Sequence, residues 1–434
     1  MSELLAGGAL AVYRGGGWLF SPFAGLLLDA RTRRGKEDVA RRGERLGRAS
    51  CPRPVGRLIW VHAASVGETM SVLPLIAKLT SDGAHVLLTT GTVTSAAMAA
   101  TRLPAGAFHQ FVPLDLAPFV RRFLDHWRPD AALFVESEIW PATLGELDRR
   151  RIPRALVNAR LSERSLRRWR IAPRIARSIF ARFALVAAQS EADAARFRAL
   201  GMAAPAVVGN IKFDCAPLTA DSAEEARLRS LIGDRPVFTA ASTHDGEEAI
   251  VADAARRLDA RMPDLLTIIV PRHPSRGPDI AAMLRACGHR VAIRSAGESP
   301  TPETTVYLAD TLGELGLFYH LAAVSLVGGS LVAIGGHNPI EAAQLGTAIV
   351  HGPYVDNARE IFARFDADEA ALTVSDAASL SDTLAMLFAA PPTRQAMSDR
   401  ARIIVEAARG AVERTHQLIA TRLLGKQVSV GARP

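Results

Sequence analysis

Short apolar, β-branched runs alternate along this chain with segments of helical length, and the alternation restarts once near the middle. In the first half RLIWVHAAS (57–65), AHVLLTTGT (84–92), AALFVES (131–137), RALVNAR (154–160) and ALVAAQS (184–190) read as buried strands. AFHQFVPLD (107–115) reads as a strand or an extended passage, and AAPAVVGNIKFD (203–214) as the last strand with its exit. Helices are predicted over TMSVLPLIAKL (69–79), TSAAMAATRL (94–103), PFVRRFLDHW (118–127) and PATLGELDRR (141–150), and an arginine-rich helical stretch over 161–182 is broken at Pro173. After a polar linker and helix at 215–235 a second series begins: RPVFTAAS (235–242), LLTIIVPRHP (265–274), HRVAIRS (289–295), TTVYLAD (304–310) and AAVSLV (322–327). Helices are predicted over 247–261 and 278–286, and the chain reads as helical from 379.

Strands that alternate with helices argue for parallel sheets covered on both faces. The expected fold is α/β, with two Rossmann-like halves of similar size. Ligands in such sheets bind outside the carboxyl ends of the strands, so a cleft between the halves is expected.

One stretch, 328–357, stands out. Gly328 and Gly329 end a strand, and Gly335 and Gly336 lead into His337, Asn338 and Pro339 ahead of the helix IEAAQLG (340–346). Asn338 sits where an N-cap belongs and proline suits the first helical position. Glycines before a helix N-terminus let backbone N–H groups converge on an anion. The expectation is a phosphate and sugar grip.

Composition narrows the partners. The 434 residues carry 52 Lys and Arg against 44 Asp and Glu, a net charge of +8, which calls for an anionic partner. Aromatics make up only 6% of the chain, and no aromatic-interleaved basic strand or helix-turn-helix pattern is present, so nucleic acid is not expected. Cys51, Cys215 and Cys287 are widely spaced, with neither zinc spacing nor a disulfide framework. Residues 4–28 are mostly apolar but interrupted by Arg14, and residues 31–57 hold ten Lys or Arg against three Asp or Glu. Basic charge behind an apolar segment stays cytoplasmic and attracts anionic lipid. A membrane-attached N-terminal segment is therefore expected, with a helix packed on the protein's own core as the alternative.

Candidate chemistry falls at the strand ends. Ser65 and Gly67 in HAASVGE (62–68) form a turn that suits an anion or is a simple turn. ESEIWP (136–141) offers Glu136 and Glu138, and Asn158, Arg160, Asn210 and Lys212 come after later strands. In the second half Ser242, Thr243 and His244 could grip phosphate, with Glu247 and Glu248 in the first helical turn where acids suit the dipole. Arg272, His273 and Arg276 close another strand, where an arginine fork complements phosphate. Glu341 suits a ribose diol or the helix dipole equally. His273 and His337 lack the carboxylate–histidine spacing of a zinc site. Without GxxxxGK[ST], GxGxxG or GxSxG, the kinase, ATPase, dehydrogenase and hydrolase readings lose ground.

RGKEDVARRGERLG (34–47), WVHAASVGE (60–68), FVESEIWP (134–141), NARLSERS (158–165), GNIKFD, STHDGEE, PRHPSR and GGSLVAIGGHNPIEAAQLGTAIVHGP, taken in this order, closely resemble the 3-deoxy-D-manno-octulosonic acid (Kdo) transferase family. The likeness runs over roughly residues 31–360. It implies a glycosyltransferase of the B type that needs no metal or other cofactor. Such an enzyme moves Kdo from CMP-Kdo onto a lipid A precursor (lipid IVA) with inversion, at the cytoplasmic face of the inner membrane. The implied domains are an anchor at 1–30, an acceptor domain at 31–212 and a CMP-Kdo domain at 213–434. By its residues alone, Glu37 reads as one partner in a charged, solvated helix. The resemblance makes it the general base, with Arg31, Arg33, Arg34, Lys36, Arg41 and Arg42 around it, and matches the family's second glutamate to Glu138. Lys212, Ser242, Thr243, His244, Arg272, His273, Gly335, Gly336, His337, Asn338 and Glu341 would bind the donor. Ser65, Gly67, Glu68, Arg34 and Arg160 would face the acceptor or its anions. Ser137 stands where the family commonly has threonine. The alternative within the same fold is a UDP-sugar transferase similar to lipid A disaccharide synthase.

Overall fold

A computed structural model of the chain describes residues 17 and 20–425. The chain forms two compact units, residues 1–215 together with 408–434, and residues 216–407. Each is built on one seven-stranded sheet.

In the first unit the strands are β1 (Leu58–His62), β2 (His85–Thr90), β3 (Ala107–Phe111), β4 (Ala131–Val135), β5 (Arg154–Ala159), β6 (Leu185–Ala188) and β7 (Ala206–Val207). Their order across the sheet is β3-β2-β1-β4-β5-β6-β7, with every pairing parallel. Every residue of β1, β4 and β5 is buried. Burial on both faces is why these strands are mostly apolar without alternation, with His62, Arg154 and Asn158 the buried polar exceptions. The second unit repeats the plan with β8 (Val237–Thr243), β9 (Leu266–Pro271), β10 (Val291–Ile293), β11 (Val306–Leu308), β12 (Val324–Val327), β13 (Ala348–His351) and β14 (Ala371–Thr373). Its order is β10-β11-β9-β8-β12-β13-β14, again all parallel. The order reverses between β1 and β4 in the first sheet and between β8 and β12 in the second, where β11 also inserts between β9 and β10. At such a switch point the loops leaving the two strands diverge and open a crevice for ligand.

Three expectations change. The final helix, Ala411–Arg422, belongs to the first unit, although the sequence grouped it with 213–434. Ala411, Val412 and Ile419 join Val72, Leu75 and Ile76 in one core. The Asp214 carboxylate accepts from Gly410 N and Val412 N at 2.6 and 2.7 Å, satisfying helix N–H groups that have no partner within the helix. The strand expected through 203–214 is only two residues long, because Gly209 at φ 87° turns the chain into a 3-10 turn at Ile211–Asp214. Finally, most of the expected anchor at 1–30 lies outside the described residues. Its last part forms a 3-10 turn at Ser21–Phe23 and opens the helix Ala24–Arg33, which together leave Phe20, Phe23, Leu26 and Leu27 exposed. Among the described residues no helix is long and apolar enough to cross a membrane.

Candidate functional site

Each unit gathers polar side chains at its own switch point. In the first unit, β1 runs out through His62 into a turn where Ser65 caps the helix Val66–Ser81. Ser65 Oγ accepts from Glu68 N at 3.3 Å and donates to Glu68 Oε1 at 3.1 Å, while Glu68 Oε2 accepts from Ala64 N at 2.7 Å. This is a variant of the reciprocal cap, in which serine and glutamate satisfy each other's backbone donors. Beside it, β4 ends in Glu136, held at φ 58°. This left-handed conformation is uncommon for a residue with a side chain. Glu136 Oε1 accepts from Lys212 Nζ at 2.9 Å. Two residues on, Glu138 Oε2 accepts from Trp140 Nε1 at 2.8 Å and lies 3.8 Å from His62 Nε2. At that distance the histidine contact is electrostatic rather than a hydrogen bond.

Three carboxylates thus share this sheet end, and their surroundings set them apart. Burial raises the Glu68 acid to about 7, with Glu136 and Glu138 adding to the rise. Burial would also raise Glu138, but His62 and the Trp140 N–H outweigh it and bring that acid below its ordinary value. Ser65 and Glu68, expected to face the acceptor or its anions, are engaged with each other in this cap, at a turn rimmed by carboxylates. Lys212, expected on the donor side, lies in the first unit against Glu136. Arg160 comes directly after β5 and is half-buried, and Arg34 is exposed.

Glu37 lies in the loop after the helix Ala24–Arg33 and is buried, contrary to the solvated helix its residues suggest. Oε1 accepts from Arg31 Nε at 2.5 Å and Oε2 from Arg45 Nε at 2.9 Å. Arg45 is itself buried and donates to Gly91 O and Val112 O, just past β2 and β3. Glu37 is thereby tied to the carboxyl end of the same sheet that carries Glu68 and Glu138.

In the second unit the crevice is formed by the loops after β8 and β12. Ser242 is held at φ 58°, and Thr243 Oγ1 donates to Glu248 Oε1 at 2.9 Å. Glu247, fully buried, takes the role expected of a ligand. Its Oε2 accepts from His244 N and Gly329 N at 2.9 and 2.7 Å, and its Oε1 from Ser330 N and Leu331 N at 3.0 and 2.9 Å. The anion held by the glycine turn is the protein's own. The N–H groups of Gly335, Gly336 and His337 are taken as well, by Gly329 O and Gly328 O. The backbone N–H groups of 335–337 are thus committed within the loop, which leaves side chains as the candidate ligand contacts there. The helix here, Ile340–Gln344, is only five residues long with Pro339 at its N-cap, although Asn338 Oδ1 still accepts from Ile340 N at 3.2 Å. Glu341 opens its first turn, half-buried.

Beside Ser242, the site gathers three histidines and one arginine. His244 Nε2 and His337 Nε2 are 2.9 Å apart with their rings nearly parallel, and His273 meets His244 edge-on. Burial lowers both His244 and His337, the latter to about 4. Arg272 and His273 are exposed, whereas Arg276 is committed to Glu248 and Asp245. Among the described residues no group of three or more His, Cys, Asp or Glu is arranged to hold a metal ion. His62 and the clamping role of Glu247 are not evident from the sequence. A polar residue ending an apolar strand is the available signal for His62.

Two parallel-sheet units of this kind make up the fold shared by sugar-nucleotide epimerases and B-type glycosyltransferases. The structure is similar to UDP-GlcNAc 2-epimerase from Neisseria meningitidis bound to UDP-GlcNAc, with a TM-score of 0.59 and 14% identity over 86% of this chain and 100% of that one. Residues 40–215 match the family described as 3-deoxy-D-manno-octulosonic-acid transferase (kdotransferase). The 3-deoxy-D-manno-octulosonic acid transferase of Bordetella pertussis is 38% identical over 389 residues, 86% of this chain and 89% of the relative. That of Haemophilus influenzae is 34% identical over 399 residues, 91% and 93%. The chain belongs to the Kdo transferase family, a family of glycosyltransferases.

Proposed function

We propose that this Kdo transferase uses CMP-Kdo as donor and the lipid A precursor lipid IVA as acceptor, inverting the anomeric carbon without a metal. The observation that carries the reading is Glu37, buried and tied to the carboxyl end of the first sheet by Arg31 and Arg45. Each guanidinium occupies one lone pair of a carboxylate oxygen, and the remaining lone pairs can accept a proton. In the step, an acceptor hydroxyl attacks the anomeric carbon, its proton passes to Glu37 as general base, and the bond from that carbon to the CMP phosphate breaks. CMP leaves with the bonding electron pair, and Arg272, His273 and the one ring N–H left free by the His244–His337 pair supply the donors its developing charge needs. Asn338 and Glu341 serve the nucleotide, with Gly335 and Gly336 shaping the turn. Glu138 belongs to the catalytic group. The acceptor's phosphates are served by Arg34, Arg160 and the basic run after residue 30. The exposed Phe20, Phe23, Leu26 and Leu27 beside that run support attachment to anionic lipid at the cytoplasmic face of the inner membrane.

The test combines purified protein, CMP-Kdo generated in place and the lipid A precursor in anionic vesicles, with product mass as readout. One Kdo mass or more is added if the reading is right, and none with Glu37→Gln, which still binds CMP. Near-normal turnover by Glu37→Gln removes it as the base. Sedimented vesicles carry the protein down with them if the membrane proposal is right, and leave it in the supernatant if it is wrong.

A further inference from the structure

His62 is 1% exposed, and its Nε2 has no hydrogen-bond partner among the described residues. It is aimed at Glu138 Oε2, 3.8 Å away, between Phe134 and Trp140. What that nitrogen offers Glu138 depends on the tautomer, and the buried groups behind the ring decide it. Trp60 Nε1 lies 2.8 Å from Thr89 Oγ1. An indole nitrogen can only donate, so the threonine oxygen accepts there and its own proton must go elsewhere. The two acceptors in reach are His62 Nδ1 at 3.0 Å and Val61 O at 3.5 Å. The shorter contact is the stronger, which makes Nδ1 an acceptor and leaves the ring proton on Nε2. The competing tautomer would direct Nδ1–H to Thr89 O at 3.2 Å or to Oγ1 at 3.0 Å, with the threonine proton on Val61 O, but it would turn an Nε2 lone pair toward a carboxylate beside a buried ring, where nothing repays the desolvation.

We propose that His62 is a positioning residue for Glu138, presenting an Nε2–H fixed by the relay Trp60→Thr89→His62 so that the Glu138 carboxylate is aimed by two donors, His62 Nε2–H and Trp140 Nε1–H. This rests on the reading of Glu138 as part of the catalytic group. The relay is carried by β1 and β2, which pair directly with His62 opposite Thr89, so it is set by the rigid sheet rather than by a loop. At 3.8 Å an Nε2–H already faces the carboxylate, and a shift of Glu138 toward the ring would make the hydrogen bond with no change of tautomer. The neighbouring carboxylates are arranged differently: Glu136 has Lys212, and Glu68 has its helix cap. Of the three, Glu138 is the one aimed by aromatic-ring donors.

The test uses the full chain labelled with ¹⁵N-histidine, the His62 signals being assigned by their loss in His62→Gln. At neutral pH the wild type is expected to show Nδ1 unprotonated and Nε2 protonated. Thr89→Val keeps the side-chain shape but removes the relay hydroxyl, and is expected to reverse that pattern. With the reversal kcat should fall by about tenfold to a hundredfold, the scale of one hydrogen bond to a charged group, with KM little changed. His62→Gln, whose amide can stand in for Nε2–H, is expected to retain more turnover than His62→Leu. A wild-type ring protonated on Nδ1, or Thr89→Val with wild-type kcat, overturns the proposal even if His62→Leu fails to fold. Glu138→Gln separates the layers: full turnover removes Glu138 from the catalytic group, whereas lost turnover beside an Nδ1-protonated His62 refutes the relay alone.

Discussion

At the residue scale the decisive feature is how unequally three neighbouring glutamates are compensated. Glu136 has Lys212, Glu138 has His62 and Trp140, and Glu68 faces both carboxylates from its helix cap. Burial and those neighbours put Glu68 at about 7, against 4.5 for an ordinary glutamate. With the folded value above the unfolded one, the native state binds more protons between these limits. Stability is therefore lost as pH rises from 4.5 to about 7, and the full cost persists above. Glu68→Gln keeps a residue that can serve the cap and removes the charge. It is expected to be more stable than wild type on the alkaline side by on the order of 1–2 kcal/mol, with the advantage fading on acidification. Denaturant melts across that range check it, and a pH-independent difference would contradict it.

At the scale of elements, the glycine-rich loop after β12 shows how a sequence pattern can be right about geometry and wrong about occupant. Gly328 has Ala241 O and Ser242 O where a Cβ would lie 2.6 Å from each, so the close approach of two backbones requires glycine. The N–H groups that converge there are legible in the sequence as an anion nest. The anion is Glu247, 82 residues before Gly329. This clamp orients the loop that carries His337, and it compensates a buried charge with four backbone donors. Glu247→Ala leaves three of those donors in the β12 loop unpaired and should cost about 3–5 kcal/mol, as for other broken buried charge networks. Amide exchange is expected to quicken at 328–337 first and, if the proposed donor site is right, CMP affinity to fall alongside. Unchanged protection there would show that the loop holds itself.

At the scale of the whole molecule, the chain leaves the first unit after Cys215 and returns to it at Ala408. The returning helix fills the groove beside the Val66–Ser81 helix and adds the Lys78–Glu413 pair. Deleting residues 408–434 strips Val412 and Ile419 from that core, a loss of about 1.5–3 kcal/mol for each side chain. Hydrogen exchange should then rise through Val66–Ser81 and β1 while β8, β9 and β12 stay protected. Loosening confined to the second unit would contradict this division. Basic charge after residue 30 and the exposed apolar side chains beside it belong to this scale too, because the proposed membrane attachment would involve a surface rather than a site.

The apolar runs by themselves determined that there are two parallel α/β sheets, because strands buried on both faces cannot alternate polar and apolar positions. The ordered motifs likewise placed many candidate residues, among them Glu138, Arg160, Ser242, His244 and Arg272, at or just past strand ends, and the glycines marked the turns. Only the tertiary structure decided which of these groups meet. Lys212 reaches Glu136 across 76 residues and His62 reaches Thr89 across 27. Such pairings depend on strand order and register, which local periodicity does not encode. The same holds for protonation: in the sequence the three glutamates are equals, whereas burial and neighbours raise one and lower another. A carboxylate's chemistry is set by the groups that surround it in space, and those come together only when the sheet forms.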